Sequence, residues 1–238
     1  MNGKKSSENI FPAEAIMMES TRVKHSDSIA EKIEPFEASK PSILIKTRRS
    51  NPYFDEVCDY WIGLWRKQIG IKNPDFTCIR PFVAHPGYRP LIMPKHELVT
   101  AQRLYDSCRE RFNCWKYTSH SLDKVVVMNG RDPRKGSYVA WFRDRIEADE
   151  ELSNISAVAL KKRKISGITL LEREVMEYDY FNRTNGHLDI DNMTLCSGSL
   201  YVCGDLPRVR WDGKRFFIHW FFTDRVEAVM RSRQLFVF

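Results

Sequence analysis

Asp189 and Asp191 alternate across one residue. On a strand, that spacing points both carboxylates to one side, where a divalent ion or an activated water can sit. A nuclease built this way needs a third acid and often a lysine. Glu172 and Glu174 fall on a predicted helix, and nothing in the sequence brings them to the aspartates. The segment His187-Leu188-Asp189-Ile190-Asp191-Asn192 also has the composition of a turn whose Asp side chains cap backbone donors, and that is the expectation for it.

Other reactive side chains lack the company that chemistry requires. His219 sits among Phe216, Phe217, Ile218, Trp220, Phe221 and Phe222 with no orienting acid in view, so one structural hydrogen bond is expected of it. Ser197-Gly198-Ser199 offers hydroxyls without a Gly-x-Ser-x-Gly elbow. Cys58, Cys78, Cys108, Cys114, Cys196 and Cys203 form no Cys-x-x-Cys pair. Cys108 and Cys114 could converge with His96 and His120 on a metal, but buried reduced thiols are expected instead. With no Gly-rich phosphate loop and no dinucleotide fingerprint, the sequence predicts no catalytic residue, metal or cofactor.

Aromatic and cationic residues cluster more tellingly. Residues 201–238 hold Tyr201, Trp211, Phe216, Phe217, Trp220, Phe221, Phe222, Phe236 and Phe238, interleaved with Arg208, Arg210, Lys214, Arg215, Arg225, Arg231 and Arg233. Flat rings interleaved with cations can stack bases. Yet both parities of Phe216 to Phe222 are apolar, so most of these rings are expected in the core, with an exposed remainder marking a binding surface.

The elements that must carry these residues follow from period and punctuation. Asn51-Pro52 can open a helix whose apolar face is Phe54, Val57, Trp61, Leu64, Trp65 and Ile69, and Gly70 can close it. A proline-rich stretch with extended pieces at Cys78 to Val83 and Leu91 to Met93 leads to a Thr100-capped helix burying Ala101, Leu104, Tyr105, Cys108 and Phe112. Trp115 to Tyr117 and Val125 to Met128 read as strands, Arg131 to Gly136 as a turn, and Ser137 to Asp144 as a strand buried on both faces. Thr169 and Glu172 have capping-box spacing for a helix with an apolar stripe at Leu171, Val175 and Tyr178, closed by Gly186. Beyond it come strands at Met193 to Cys196, Val209 to Trp211, Phe216 to Phe222 and Gln234 to Phe238, with turns at Cys203-Gly204-Asp205 and Asp212-Gly213.

The fold class expected is α+β, with a flexible N-terminal arm at 1–50, a mixed helix and strand part at 51–130, and a β-rich, aromatic-rich C-terminal part at 131–238, the last two able to form one continuous unit. The arm mixes polar residues with isolated hydrophobics and cannot bury enough apolar area to offset its ordering entropy, apart from a short helix near Ala13 to Met18 and an extended piece at Ile43 to Ile45.

Charge speaks less clearly. The net charge of +7 divides into +2 over 1–50, +2 over 51–191 and +3 over 192–238, a diffuse excess that fits a solvated, charge-mixed surface. Only Lys161, Lys162, Arg163 and Lys164 form a dense basic run. No stretch approaches the roughly 18 apolar residues of a membrane span, and Lys4 and Lys5 are followed by polar residues rather than a signal-peptide core, so a cytoplasmic location is expected.

The segments Thr169-Leu170-Leu171-Glu172, His187-Leu188-Asp189-Ile190, Thr194-Leu195-Cys196-Ser197-Gly198-Ser199, Pro207-Arg208-Val209-Arg210-Trp211 and Met230-Arg231-Ser232-Arg233 together resemble a group of uncharacterised bacterial proteins, from near Asn51 to the end. The C-terminal region of that group is similar to the variable target proteins of diversity-generating retroelements, which end in a C-type-lectin-like fold. There a rigid strand scaffold displays variable residues for ligand binding. The resemblance implies that Trp211, Trp220, Arg231 and Arg233 are scaffold, and that Tyr201, Val202, Arg208, Arg210, Phe217, His219, Phe221, Thr223 and Arg225 are displayed. Two motifs depart from that pattern: Ser197-Gly198-Ser199-Leu200 only approximates a Gly-Gly-Ser-Trp entry, and Met230-Arg231-Ser232-Arg233 only approximates a Gly-Phe-Arg exit.

The leading expectation is a noncatalytic binding protein without cofactor, whose C-terminal surface takes a small ligand or a protein. The alternative is a nucleic-acid-binding accessory protein of a mobile element using Lys161, Lys162, Arg163, Lys164, Arg231 and Arg233. A metal-dependent nuclease on Asp189 and Asp191 comes third.

Overall fold

Asn51 starts the first element as its residue type suggests: its side chain accepts from the Phe54 N–H, and Pro52 occupies the first turn of α1 (Pro52–Gly63). A wider π-type turn, Leu64–Gln68, continues it before Gly70 takes a left-handed φ of 78°. The widened turn keeps Leu64, Trp65 and Ile69 all buried. β1 (Tyr88–Met93) follows, then α2 (Ala101–Arg109), capped by the Thr100 hydroxyl. β2 (Cys114–Lys116), the one-turn α3 (Leu122–Val125), β3 (Val126–Asn129), β4 (Tyr138–Arg143) and α4 (Ala157–Lys162) lead to α5 (Leu170–Thr184). The C-terminal strands are β5 (Met193–Leu195), β6 (Ser199–Tyr201), β7 (Leu206–Trp211), β8 (Phe216–Phe221) and β9 (Met230–Ser232).

The computed structural model describes residues 51–236 and residue 238, which lie in the unit Arg48–Phe238. The arm, its short helix and its extended piece lie outside the described residues. The fold is mixed α+β. A five-stranded sheet runs β2-β8-β7-β5-β9, parallel at both outer pairings and antiparallel inside. Two ribbons, β1 with β4 and β3 with β6, complete the strands. One apolar core crosses residue 130: Trp61 and Trp65 pack with Leu104, Phe142, Leu171, Val175, Tyr178, Val209, Phe216 and Ile218. Among the described residues, no helix is long and apolar enough to cross a membrane.

Several local expectations need correction. Cys78 to Val83 forms no strand: Cys78 ends a turn, and residues 79–83 run on without pairing in any ladder. Gln234 to Phe238 is not a strand either; Gln234 and Phe236 make isolated bridges to Gly167 and Trp141, and the final ladder is β9. The residue that closes α5 in a left-handed conformation is Asn185, at φ 56°, not Gly186. No sequence period marks β6, because Ser199-Leu200-Tyr201 is too short to show one and pairs with distant β3.

Most importantly, α5 is not a one-stripe amphipathic helix. Its buried residues include Glu172, Arg173, Glu174, Glu177 and Asp179 alongside the apolar stripe. The capping box forms as its spacing predicts, Glu172 accepting from the Thr169 N–H and the Thr169 hydroxyl accepting from the Glu172 N–H. The same first turn docks on the Ser197-Gly198-Ser199 segment: the Leu170 N–H donates to Ser199 Oγ at 2.9 Å, and the Gly198 N–H donates to Ile168 O at 2.9 Å. Gly198 is a glycine for want of space, since a Cβ there would lie 2.6 Å from Gly167 O and 2.9 Å from Ile168 O. Both contacts are backbone and cannot swing aside. Gly198→Ala is therefore expected to cost about 1–3 kcal/mol in urea unfolding. Gly130→Ala, whose new Cβ would meet Gly198 O at an ordinary 3.6 Å, should cost less.

Candidate functional site

The five-stranded sheet has two unlike faces, and the alternation of β7 and β8 decides which side chains go where. Toward α5 it sends Val209, Phe216 and Ile218, all fully buried. The opposite, outer face carries Arg208 and Arg210 from β7, Phe217, His219 and Phe221 from β8, and Trp115 from β2. Register sets Arg210 opposite Phe217, Arg208 opposite His219, and Trp115 opposite Phe217.

On this face, three half-buried rings lie nearly parallel. Trp115 and Phe217 are 4.8 Å apart at 8°, and Phe217 and His219 are 5.5 Å apart at 8°. The Arg215 guanidinium lies 5.2 Å from the Trp115 centroid and 5.7 Å from that of Phe217 while its Nε donates to Asp212 Oδ2 at 3.0 Å. Arg210 is half-buried, its side chain makes no hydrogen bond or ion pair with any described residue, and its Nε is out of solvent. A guanidinium in that position is short of an acceptor. Arg208 is less available, its Nη1 donating to Glu227 Oε2 at 2.8 Å.

The other end of the outer face is closed. Leu195, Leu206, Phe221 and Met230 form a second small core against which Ala157 and Leu200 pack. This corrects two expected surface residues. Phe221 belongs to that small core, and Tyr201 has no exposed area, its ring packing on Tyr117 at 5.2 Å. Val202, at the turn beyond Tyr201, and Arg225 are exposed, Arg225 lying 4.3 Å over the Phe222 ring. Thr223 is half-buried, its carbonyl accepting from Val158 N–H at the start of α4.

His219 places Nδ1 3.0 Å from the Trp220 carbonyl and makes no hydrogen bond or ion pair with a described carboxylate; its ring is the third member of the stack. Trp115 and Arg215 are the members of this surface that the expected site omitted. β2 enters by parallel pairing from about a hundred residues upstream, and no local pattern foretells such a contact.

The basic set of the nucleic-acid alternative splits. Lys161, Lys162, Arg163 and Lys164 are exposed at the end of α4 and pair with no described acid. Arg231 is half-buried, with Nη1 3.3 Å from Ala148 O. Arg233 is buried and cannot reach a phosphate: its Nη2 donates to Asp189 Oδ1 and to Ile146 O, both at 2.7 Å, and its Nη1 donates to Arg145 O at 3.2 Å.

Asp189 is the hub that Arg233 serves. Its backbone is left-handed, with φ 56°, which breaks the strand alternation that would have paired it with Asp191. The carboxylate is fully buried and accepts from Arg173 Nε at 2.9 Å, from Arg233 and from the Thr194 hydroxyl. Arg173 also pairs with Glu177 at 2.8 Å, and Glu177 meets His187 Nδ1 at 2.8 Å. His187 in turn stacks on Trp211 at 3.4 Å and 4°. Asp191 is exposed, and the backbone N–H groups of Ile190, Asp191 and Asn192 are all capped by Glu147, at 2.9, 3.1 and 2.9 Å, rather than by a neighbouring Asp. Two guanidinium groups thus stand where the nuclease reading needs a cation. Among the described residues, no cluster of three or more His, Cys, Asp or Glu is arranged to hold a metal ion. Cys108 and Cys196 are buried, and burial pushes both thiols up, away from reactivity.

Glu174 is the exception among the buried charges of α5. Neither of its carboxyl oxygens has a hydrogen-bond partner. Burial pushes its pKa well above the ordinary range, Asp123 and Asp106 add to that, and Arg173 and Lys116 oppose it. Cys108 Sγ lies 3.9 Å from the Glu174 carbonyl oxygen.

No protein-family model, no curated protein and no solved structure matches this chain.

Two expectations follow for stability. Asp189→Asn leaves Arg173 and Arg233 without their shared countercharge and should cost about 3–5 kcal/mol in equilibrium unfolding at pH 7, the scale of a broken buried pair. Glu174 acts with the opposite sign to Asp189. Because its folded pKa is raised, the native state holds a proton that the unfolded chain releases. Its contribution is therefore fully present below the ordinary glutamate pKa and is lost as pH rises toward the folded value. Glu174→Met should stabilise the protein at pH 8 more than at pH 5, the difference growing by at most about 1.4 kcal/mol per pH unit. Urea midpoints at the two pH values check this, and a gain that does not grow with pH contradicts it.

Proposed function

We propose that this protein is a noncatalytic binding module whose contact surface is the open end of the outer sheet face. The observation that carries the reading is the Trp115–Phe217–His219 stack beside Arg210, a guanidinium with no partner among the described residues. Aromatic and arginine side chains on a rigid sheet are the types that dominate interface energetics, and little entropy remains to be lost when a partner docks on them. Arg208, Arg210, Phe217 and His219 are the displayed residues of this reading, joined by Trp115 and Arg215; Val202, Thr223 and Arg225 lie outside the strands that form this end. Tyr201 and Phe221 leave it.

The finer reading is a C-type-lectin-like variable protein of a diversity-generating retroelement. The outward parity of Arg208, Arg210, Phe217 and His219 supports it, because substitutions there leave the α5-facing core untouched. Its test is the encoding DNA. The reading requires a near-repeat of the codons for about residues 197–233, differing at adenines and close to a reverse-transcriptase gene; without one, the diversification reading is withdrawn. For the surface itself, peptides selected from a random display library against the full chain should lose about tenfold or more in affinity for Trp115→Ala or Arg210→Ala, the scale of interface hot spots. They should bind Val127→Ala, an exposed apolar control on β3, unchanged. Selected peptides indifferent to both ladder substitutions would refute the assignment.

A second reading, single-stranded nucleic acid, is favoured by the unpaired Lys161–Lys164 run and by rings beside cations. Mobility shifts with a homopolymeric oligonucleotide at 50 and 200 mM salt decide it: a phosphate-driven complex weakens steeply across that interval. Absence of a shift at the lower salt removes this reading.

A further inference from the structure

A cavity of ≈ 420 Å³ opens between α4, the β3–β6 ribbon and the start of β7. It lies beyond the closed end of the outer sheet face, and its occupancy does not depend on the aromatic ladder. Its volume falls in the range, roughly 300 to 1,000 Å³, of pockets that hold small organic ligands. Met128, Val158, Leu160, Ile165 and Leu206 make it predominantly apolar. Leu160 and Leu206 are buried at its floor, whereas Met128 and Val158 remain 54% and 55% exposed at its rim. Large apolar side chains left in solvent around a concavity are the mark of a surface that is covered part of the time.

The polar groups of the lining are unequal. The hydroxyls of Ser197 and Ser199 are already engaged, with Ser232 Oγ at 3.1 Å and with the Leu170 N–H at 2.9 Å. Among the described residues that line the cavity, Lys161 is the one that is charged, and it pairs with no described acid. The cations that follow it, Lys162, Arg163 and Lys164, are also exposed and have no described counterion. An apolar chamber with an uncompensated ammonium at its edge selects one ligand chemistry: an apolar body that leaves water, carrying one anionic head that does not.

We propose that this cavity binds a small anionic amphiphile, its apolar body against Leu160, Ile165 and Leu206 and its carboxylate or similar anion on Lys161. The two arms of the test are a charged and a neutral probe on the same aromatic scaffold, 8-anilinonaphthalene-1-sulfonate and N-phenyl-1-naphthylamine, titrated by fluorescence against the full folded chain. Saturable binding of both is expected, with decanoate displacing them. Lys161→Glu should weaken the sulfonate probe by about fivefold or more while moving the neutral probe much less, as removal and reversal of a solvent-edge ion pair implies. Lys161→Gln should fall between. Val158→Asp, at an exposed position that tolerates a charge, should weaken both probes, whereas Val202→Asp, exposed on a different turn, should weaken neither. Failure of either probe to saturate overturns the proposal. So does sulfonate binding that ignores Lys161→Glu, or probe binding lost in Val202→Asp and kept in Val158→Asp. Trp115→Ala leaves the expected result unchanged, so a failed ladder and a failed cavity give different outcomes.

Discussion

Helix α5 buries five acidic or basic side chains, and the rest of the structure is arranged to make that tolerable. Taking a charge out of water costs several kcal/mol even after relaxation, so each such group must meet a countercharge with good geometry. Along α5 the partners arrive from widely separated segments. Arg131, between β3 and β4, grips Glu172 with two bonds of 2.6 and 2.7 Å. Arg89 of β1 and Arg183 share Asp179, to which the Tyr60 hydroxyl of α1 also donates. Asp189 and Arg233 complete the pairing of Arg173 and Glu177. Two cations and two carboxylates balance in that last cluster, and nothing is left over for a metal ion to neutralise.

This arrangement explains why the chain around Asp189 and the chain around Arg233 are structural. Both hold α5 to the five-stranded sheet through Thr194 of β5, and the left-handed backbone at Asp189 aims its carboxylate inward. With stability vested in the buried side of the sheet, the outer face has little structural duty at its β2–β8–β7 end. Arg210 and Phe217 there point away from the core that Val209, Phe216 and Ile218 enter. The closed end of the same face, under Ala157, is where the sheet spends apolar area on its second small core. One sheet therefore serves three purposes by position alone: a packed inner face, a covered outer end and an open outer end.

Glu174 shows what happens where the pairing rule is not met. No described residue hydrogen-bonds its carboxyl oxygens, and burial pushes its pKa well above the ordinary carboxylate range. Its neighbours Cys108 and Cys114 are pushed the same way, by burial and by the acidic surroundings.

Local order was legible in the sequence because local chemistry causes it. Asn51-Pro52 and Thr100 open helices, Thr169 and Glu172 form a capping box, Gly70, Gly204 and Gly213 take left-handed turns, and the β7–β8 hairpin folds about Asp212-Gly213, all from contacts a few residues apart. The sequence also determined that the C-terminal aromatic residues exceed what one core face can hold. Only the tertiary structure decided which of them remain outside. Tyr201 and Phe221 look as displayable as Phe217, yet Tyr201 packs against Tyr117 and Phe221 is covered by Leu195, Leu206 and Met230 from three other strands. Trp115 and Arg215 looked incidental until parallel pairing set β2 beside β8. The reason is the same in each case: periodicity states which face of an element a side chain takes, but only the packing of that element against distant segments determines whether the face meets protein or water.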